Sequence, residues 1–342
     1  LGGSMMLVSA YAAILLYLPR EKVGWGLSIM TTSAAIGVLL GPVAGGLIIS
    51  HFSWHWIFLI NLPIGIMALI FCHKVIPEET GPEKKLKQRL DIPGLILSAA
   101  ALFLLIYTFN MGCEHGWTSP VILGCELFTV IFFVAFFAIE KKCKDPLLDM
   151  SLFATRAFAI VLISTVIGFL MFFGGNFLLP FYLTQQGLIP EQMGFLLIAF
   201  SVVYIPIGLY AGRLTNRFPS KKISALAIFF GSITGFVFTA DLGTGVACAV
   251  IYLIMLAVSY GMFFVPINHC IMSFASDENR GSVSAVFNTV MNVAMAMGIA
   301  VLETIYSEFK IPVDGFRAAF FAGGIFCLIA AVMLMFFSRE KA

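Results

Sequence analysis

The apolar positions of this chain fall into long unbroken runs. They do not alternate as in strands, nor form the one-sided stripes of soluble helices. Residues 23–73 contain no Asp, Glu, Lys or Arg. A bilayer span needs about 20 mainly apolar residues, so this stretch predicts two spans. The turn between them is His51-Phe52-Ser53-Trp54-His55-Trp56, whose two Trp suit a membrane–water interface. The same reading along the whole chain predicts eleven spans, at 2–19, 25–49, 55–73, 92–111, 119–139, 157–182, 192–211, 223–240, 246–272, 282–304 and 318–338.

Basic residues fall between these spans in a fixed rhythm. One set of alternate loops holds Arg20 and Lys22; Lys74, Lys84, Lys85, Lys87 and Arg89; Lys141, Lys142, Lys144 and Arg156; Arg213, Arg217, Lys221 and Lys222; Arg280; Arg339 and Lys341. That is 18 of the 20 basic residues, and the opposite loops hold only Lys310 and Arg317. Lys and Arg accumulate on the cytoplasmic side of spanning segments. One span wrongly drawn would invert every later loop, so the sorting supports the whole topology. It places Leu1 outside and the C-terminal Ala342 in the cytoplasm, in a multi-pass protein of the plasma membrane.

Composition narrows the class. The chain has 342 residues, of which 60% are hydrophobic and 11% charged, with a mean hydropathy of +1.01. A soluble domain is nearer one quarter charged. The net charge of +2 is spread over short loops and excludes a nucleic-acid surface. The seven cysteines form no C-x-x-C pair and read as free thiols; Cys113 and Cys125, flanking one outside loop, are the one place where a disulfide can be drawn. His51 and His55 have metal-pair spacing but no third ligand nearby, so no metal site is expected. No metalloprotease, nucleophile-elbow or Walker motif is present. An enzyme is therefore not expected, and no cofactor either. Any transport runs on an ion gradient or on the solute's own.

The long basic loops 74–91 and 140–156 isolate two spans between larger blocks. The expected division is 1–76 as part of an N-terminal bundle, 77–156 as a two-span connector with its loops, and 157–342 as a six-span C-terminal bundle. A weak repeat supports two related blocks: Gly24 and Gly41 share their spacing of seventeen with Gly281 and Gly298.

The most informative local motif is Gly37-x-x-x-Gly41-Pro42-x-x-Gly45-Gly46. Gly37, Gly41 and Gly45 lie on one helical face, which allows close approach of another backbone, and Pro42 removes one helical hydrogen bond. Plain helix packing and a bendable hinge both fit.

Polar residues inside spans are costly and usually functional. Asn176, Asn268, Asn288 and Asn292 form a candidate cavity set, with Asn288 and Asn292 one turn apart. Phe169, Phe172, Phe173 and Asn176 share a stripe on the sixth span. Such a lining suits lipophilic, often cationic solutes; ordinary packing in a chain with 35 Phe is the alternative. Glu303 and Glu126 are candidate proton sites, set against headgroup and lipid-interface roles.

The glycine motif continues into Trp54-x-Trp56-Ile57-Phe58-x-x-Asn61-x-Pro63-x-Gly65. Together these resemble the antiporter signature of the major facilitator superfamily, and most of all its drug:proton antiporter branch with fourteen spans. Asp145-Pro146-Leu147-Leu148, Pro180-Phe181-Tyr182-Leu183, Val265-Pro266-Ile267-Asn268 and Arg280-Gly281 resemble later stretches in the same order. The resemblance implies an all-α two-bundle transporter with an inserted two-span connector, whose first three spans precede residue 1. It implies that the glycine motif is a hinge. It also implies that Gly212, Arg213, Asn216, Arg217 and Lys221 form a cytoplasmic gate loop, although Asn216 stands where the family usually has Asp and cannot form a salt bridge. The function implied is proton-coupled export of lipophilic or cationic small molecules, by a monomer whose partners are the bilayer, its substrate and protons. A transporter-like sensor, or an exporter of a metabolite, siderophore or lipid, is the alternative.

Overall fold

The computed structural model describes residues 2–75, 92–141, 155–240, 245–276 and 279–337. The expected charges and family-like residues at 84–89, 142–148, 339 and 341 lie outside these. Among the described residues all regular structure is helical. The helices are α1 (Gly2–Tyr17), α2 (Arg20–His51), the short α3 (Trp56–Leu59), α4 (Asn61–Val75), α5 (Ile92–His115) and α6 (Pro120–Glu140). There follow α7 (Arg156–Gln185), α8 (Pro190–Leu214), α9 (Ser220–Ala240), α10 (Val246–Met272), α11 (Arg280–Ser307) and α12 (Pro312–Val332), which ends in a π turn at Met333–Phe337.

Nine helical stretches among the described residues are long and apolar enough to cross a membrane, and they coincide with nine of the eleven expected spans. The first two expected spans are α1, with 16 residues, and α2, with 32. The expected span 55–73 is divided at Ile60. Pro63 explains the break, since it has no N–H to return to the carbonyl of Leu59. The surface is apolar as lipid requires: Leu69, Phe71 and Leu127 are all more than half exposed, and among the described side chains of α4 none is buried.

Helix boundaries follow from local chemistry. Pro120, Pro190 and Pro312 open their helices at positions where a missing N–H costs nothing. The Ser119 hydroxyl caps α6 by accepting from the Ile122 N–H at 3.4 Å. At the end of α7 the Leu188 N–H donates to the Leu183 carbonyl at 3.2 Å, and the Gly187 N–H to the Thr184 carbonyl at 3.0 Å. This is a Schellman cap, and it needs the left-handed backbone that Gly187 supplies at φ +80°.

Contacts between helix ends group into two layers that match the charge sorting. At the basic end, Ser220 Oγ lies 2.9 Å from His269 Nδ1, and Phe158 packs on Phe274 with ring centroids 5.4 Å apart. At the opposite end, the Trp117 Nε1–H donates to Thr304 Oγ1 at 3.2 Å, the Tyr182 hydroxyl to the Gly245 carbonyl at 3.4 Å, and the Glu191 N–H to Ser50 Oγ at 3.1 Å. Among the described residues no such pair joins a basic loop to an opposite one.

Helices α7–α12 pack as one cluster: α7 against α11, α9 against α10 and α12, and α8 against α10. The α5–α6 hairpin lies on α11, and α2 lies on α8. The core centres on α7, where Phe158, Phe169, Leu179 and Leu183 are wholly buried. Helices α7 and α11 meet backbone to backbone. A Cβ at Gly298 would strike the Leu170 carbonyl oxygen, and one at Gly174 the Gly298 carbonyl oxygen. Backbone cannot yield as a side-chain tip can, so Gly298→Leu forces the helices apart. Overpacking costs about 3 kcal/mol at its upper range, or roughly 10 °C for a bundle of this size. A thermal melt of the purified variant is expected to show that drop, while Gly124→Leu, where nothing stands within 4 Å, is expected to melt like the parent.

Candidate functional site

The glycine motif meets α8, but not through the face that its spacing suggests. Cβ atoms built at Gly37, Gly41 and Gly45 meet nothing within 4 Å among the described residues. The close approach is made by Gly46 and Gly194. A Cβ at Gly46 would stand 2.6 Å from the Pro190 carbonyl oxygen, and one at Gly194 2.5 Å from the Pro42 carbonyl oxygen. Each glycine thus lets a carbonyl of the other helix approach its Cα, the geometry of a reciprocal Cα–H···O contact. The Ser50–Glu191 hydrogen bond closes the same crossing one turn further on. The contact lies near the end opposite the basic loops, where Pro42, inside α2, has no N–H to give to the helix. Gly41 and Gly298, matched by the sequence repeat, are not equivalent in packing: the first is open and the second is backbone-tight.

Near the middle of α7, α8 and α10 four rings stack. Phe172 lies on Tyr260 with centroids 3.6 Å apart and planes 6° from parallel. Tyr260 continues to Tyr204 at 5.4 Å, and Tyr204 to Phe200 at 5.4 Å. Tyr260 and Phe200 are buried, while Phe172 and Tyr204 keep part of each ring accessible. Phe173 is likewise half-buried and lies edge-on to Phe172 at 5.1 Å. Phe169 packs edge-on to Tyr260 with ring centroids 5.8 Å apart, behind the stack rather than on its accessible side. It is 0% exposed and ringed by Phe263, Phe264 and Phe287, so the expected α7 stripe divides between core and wall. Tyr204, Tyr260 and Phe200 did not emerge from the sequence reading. Their signal was aromatic residues near mid-span on three helices, which only the fold brings together.

The amides are placed as polar groups in a span must be. Asn176 donates to the Phe172 carbonyl at 2.9 Å, Asn288 to Ser284 at 2.9 Å and Asn292 to Asn288 at 2.8 Å. Each thereby spends one N–H on its own helix and keeps a second N–H and the carbonyl oxygen for other partners. Asn288 and Asn292 are exposed on one face of α11, and Asn176 and Asn268 are half-buried. Asn176 follows Phe172 by one turn and so adjoins the ring stack.

In the expected gate loop the Thr215 hydroxyl donates to the Gly212 carbonyl at 2.7 Å, and the Asn216 N–H to the Arg213 carbonyl at 3.3 Å, which turns the chain from α8 into α9. Arg213, Asn216 and Arg217 are exposed and Lys221 is half-buried; among the described residues none of the basic three pairs with a carboxylate. Glu126 is exposed on α6, whereas Glu303 is half-buried near the end of α11, next to the Thr304 that holds Trp117. His51 and His55 do not share a helix, because α2 ends at His51. Their Nδ1 atoms lie 3.1 Å from the Leu47 carbonyl oxygen and 3.3 Å from Ser53 Oγ. Cys125 is a free thiol.

A Major Facilitator Superfamily profile matches residues 1–299. The chain belongs to the Major Facilitator Superfamily. It is therefore a multi-pass membrane protein of a transporter family. It is 28% identical over 313 residues to the probable transport protein HsrA of Haemophilus influenzae, covering 91% of this chain and 66% of that protein. To the riboflavin transporter RibZ of Clostridioides difficile it is 27% identical, covering 99% and 75%. To the probable multidrug resistance protein EmrY of Escherichia coli it is 26% identical, covering 88% and 61%. The chain thus spans about two thirds of the length of these superfamily relatives. A crystal structure of a peptide transporter POT superposes with a TM-score of 0.63 at 16% identity, over 96% of this chain and 70% of that one, which shows the shared fold.

Proposed function

We propose that the protein is a secondary active exporter of lipophilic, often cationic small molecules, coupled to protons and working by alternating access as a monomer. The observation that carries this reading is the juxtaposition of a tight glycine crossing near one end of α2 and α8 with an aromatic and amide surface near mid-span. A site at mid-depth beside a separable closure is what alternating access requires. Stacked rings with spare amide groups bind flat apolar solutes, and cations through the ring faces. Relatives named for multidrug resistance, lincomycin resistance and riboflavin transport support a broad small-molecule class rather than one solute. The sorted charges support an orientation in the plasma membrane with the basic loops cytoplasmic, where Arg213, Arg217 and Lys221 are poised to act as a gate. Of the two carboxylates, Glu303 is the better proton site, because it is half-buried beside the packed end of α11, while Glu126 faces outward from α6.

Inverted vesicles carrying the full-length protein are expected to take up a fluorescent lipophilic cation when a proton gradient is imposed, and to stop when a protonophore collapses it. Glu303→Gln should lower gradient-driven uptake at least several-fold, with Glu126→Gln near the parent. Uptake indifferent to the gradient defeats proton coupling, and no uptake of any lipophilic cation defeats the substrate class.

A further inference from the structure

A cavity also opens beside α9. It has a volume of about 420 Å³ and opens between α8, α9 and α10 at the basic end. Its walls include Leu214, Phe218, Leu226, Phe230 and Met262, and Lys222 stands in its lining. Ser259 also borders it, but its hydroxyl is spent on the Ala227 carbonyl at 2.8 Å. Lys222 therefore provides the charge in an otherwise apolar lining. Phe218 and Leu226 are 56% and 58% exposed, so the cavity opens sideways, towards lipid at that depth. From Lys222 to Phe230 it follows α9 for about 12 Å, most of the roughly 15 Å of one hydrocarbon leaflet. Arg217 and Lys221 add two cations in the same turn, and among the described residues no carboxylate neutralises the group.

We infer that this cavity seats one acyl chain of an anionic phospholipid from the cytoplasmic leaflet, with its phosphate held at Lys222. The depth matches a single leaflet, the wall matches an acyl chain, and the mouth carries the sign that complements an anionic headgroup. Basic openings between spans on the cytoplasmic side recognise such headgroups. A neutral lipophilic cargo would find no use for the lysine, and a soluble anion none for the apolar wall. The inference rests on the proposed orientation but not on the identity of the cargo.

The test uses the purified full-length protein in detergent. Phosphatidylglycerol is expected to raise the melting temperature by about 5 °C, while phosphatidylcholine with the same chains, or glycerol phosphate alone, is expected to raise it by much less. The shift should be lost in Lys222→Gln, an exposed position that tolerates substitution, and in Ala227→Phe, which fills the cavity. Equal shifts from both lipids, or a phosphatidylglycerol shift that survives Lys222→Gln, would overturn the proposal. So would a shift produced by a lipophilic cation and not by the lipid, which would assign the cavity to cargo. Should Ala227→Phe fail to fold, Leu226→Trp blocks the lateral opening from an exposed position and is read in the same way.

Discussion

Gly46→Leu is expected to reduce transport between about five-fold and a hundred-fold while the protein still reaches the membrane. A Cβ at Gly46 would stand 2.6 Å from the Pro190 carbonyl oxygen, whereas ordinary Cβ contacts lie at 3.4–4 Å. The obstacle is backbone, so α2 and α8 must part by about 1 Å near this point. The Ser50–Glu191 bond, already 3.1 Å long, then passes out of hydrogen-bond range. Overpacking of this kind costs about 1–3 kcal/mol, and each 1.4 kcal/mol is a factor of ten in a population. The cost falls on whichever state of the transport cycle has this crossing closed. The same substitution at Gly194, the other half of the contact, should have the same effect. Gly124→Leu, which meets open space on α6, is the control. Uptake rates normalised to membrane protein decide the matter: a Gly46→Leu variant that transports at the parent rate would show that the crossing does not close during the cycle.

The sequence shows the length and direction of the helices because both are one-dimensional signals. Residues 23–73 without a charge become α2, α3 and α4, and the basic residues gather at the end where Ser220 meets His269. Contacts between helices are another matter. The spacing of Gly37, Gly41 and Gly45 identifies a face of α2 that is smooth, yet the helix turns so that Gly46, about 100° round from Gly45, meets α8. A small residue tolerates close approach without saying which neighbour comes close. The same limit governs the ring stripe on α7. Phe169 and Phe172 both reach Tyr260 on α10, but Phe263, Phe264 and Phe287 close over the first, while the second stacks on Tyr260 and stays partly accessible. Asn288 and Asn292 were legible as a pair because one turn of a single helix holds both, and they do share an exposed face. The lipid-facing cavity at Lys222 was not legible, because its wall draws on three helices whose order in space is not written in any one of them.

Tyr260→Ala is expected to weaken the apparent affinity for an aromatic lipophilic cation about ten-fold, and Tyr260→Phe to restore it. Tyr260 is 9% exposed and acts as a positioning residue. Its ring lies between Phe172 at 3.6 Å and Tyr204 at 5.4 Å, both of them partly accessible, and supports each from the core side. Removing the ring leaves a space between α7 and α10 into which Phe172 can rotate, so that a face which should meet the solute is lost to the core. An aromatic contact of this kind is worth about 0.5–1.5 kcal/mol beyond its buried area, and its upper end corresponds to a factor of ten in affinity. The alanine variant also loses stability, since deleting a buried aromatic ring costs about 3–5 kcal/mol. The measurement must therefore separate the two effects, and the concentration dependence of uptake does so. Destabilisation alone lowers the maximal rate by reducing the amount of folded protein and leaves half-saturation where it was, whereas loss of the aromatic surface moves half-saturation to higher concentration. The phenylalanine variant keeps the stack and drops only the hydroxyl. If it fails to restore affinity, the hydroxyl and not the stack recognises the solute; if half-saturation is unchanged in Tyr260→Ala, the four rings are core packing and the solute binds elsewhere.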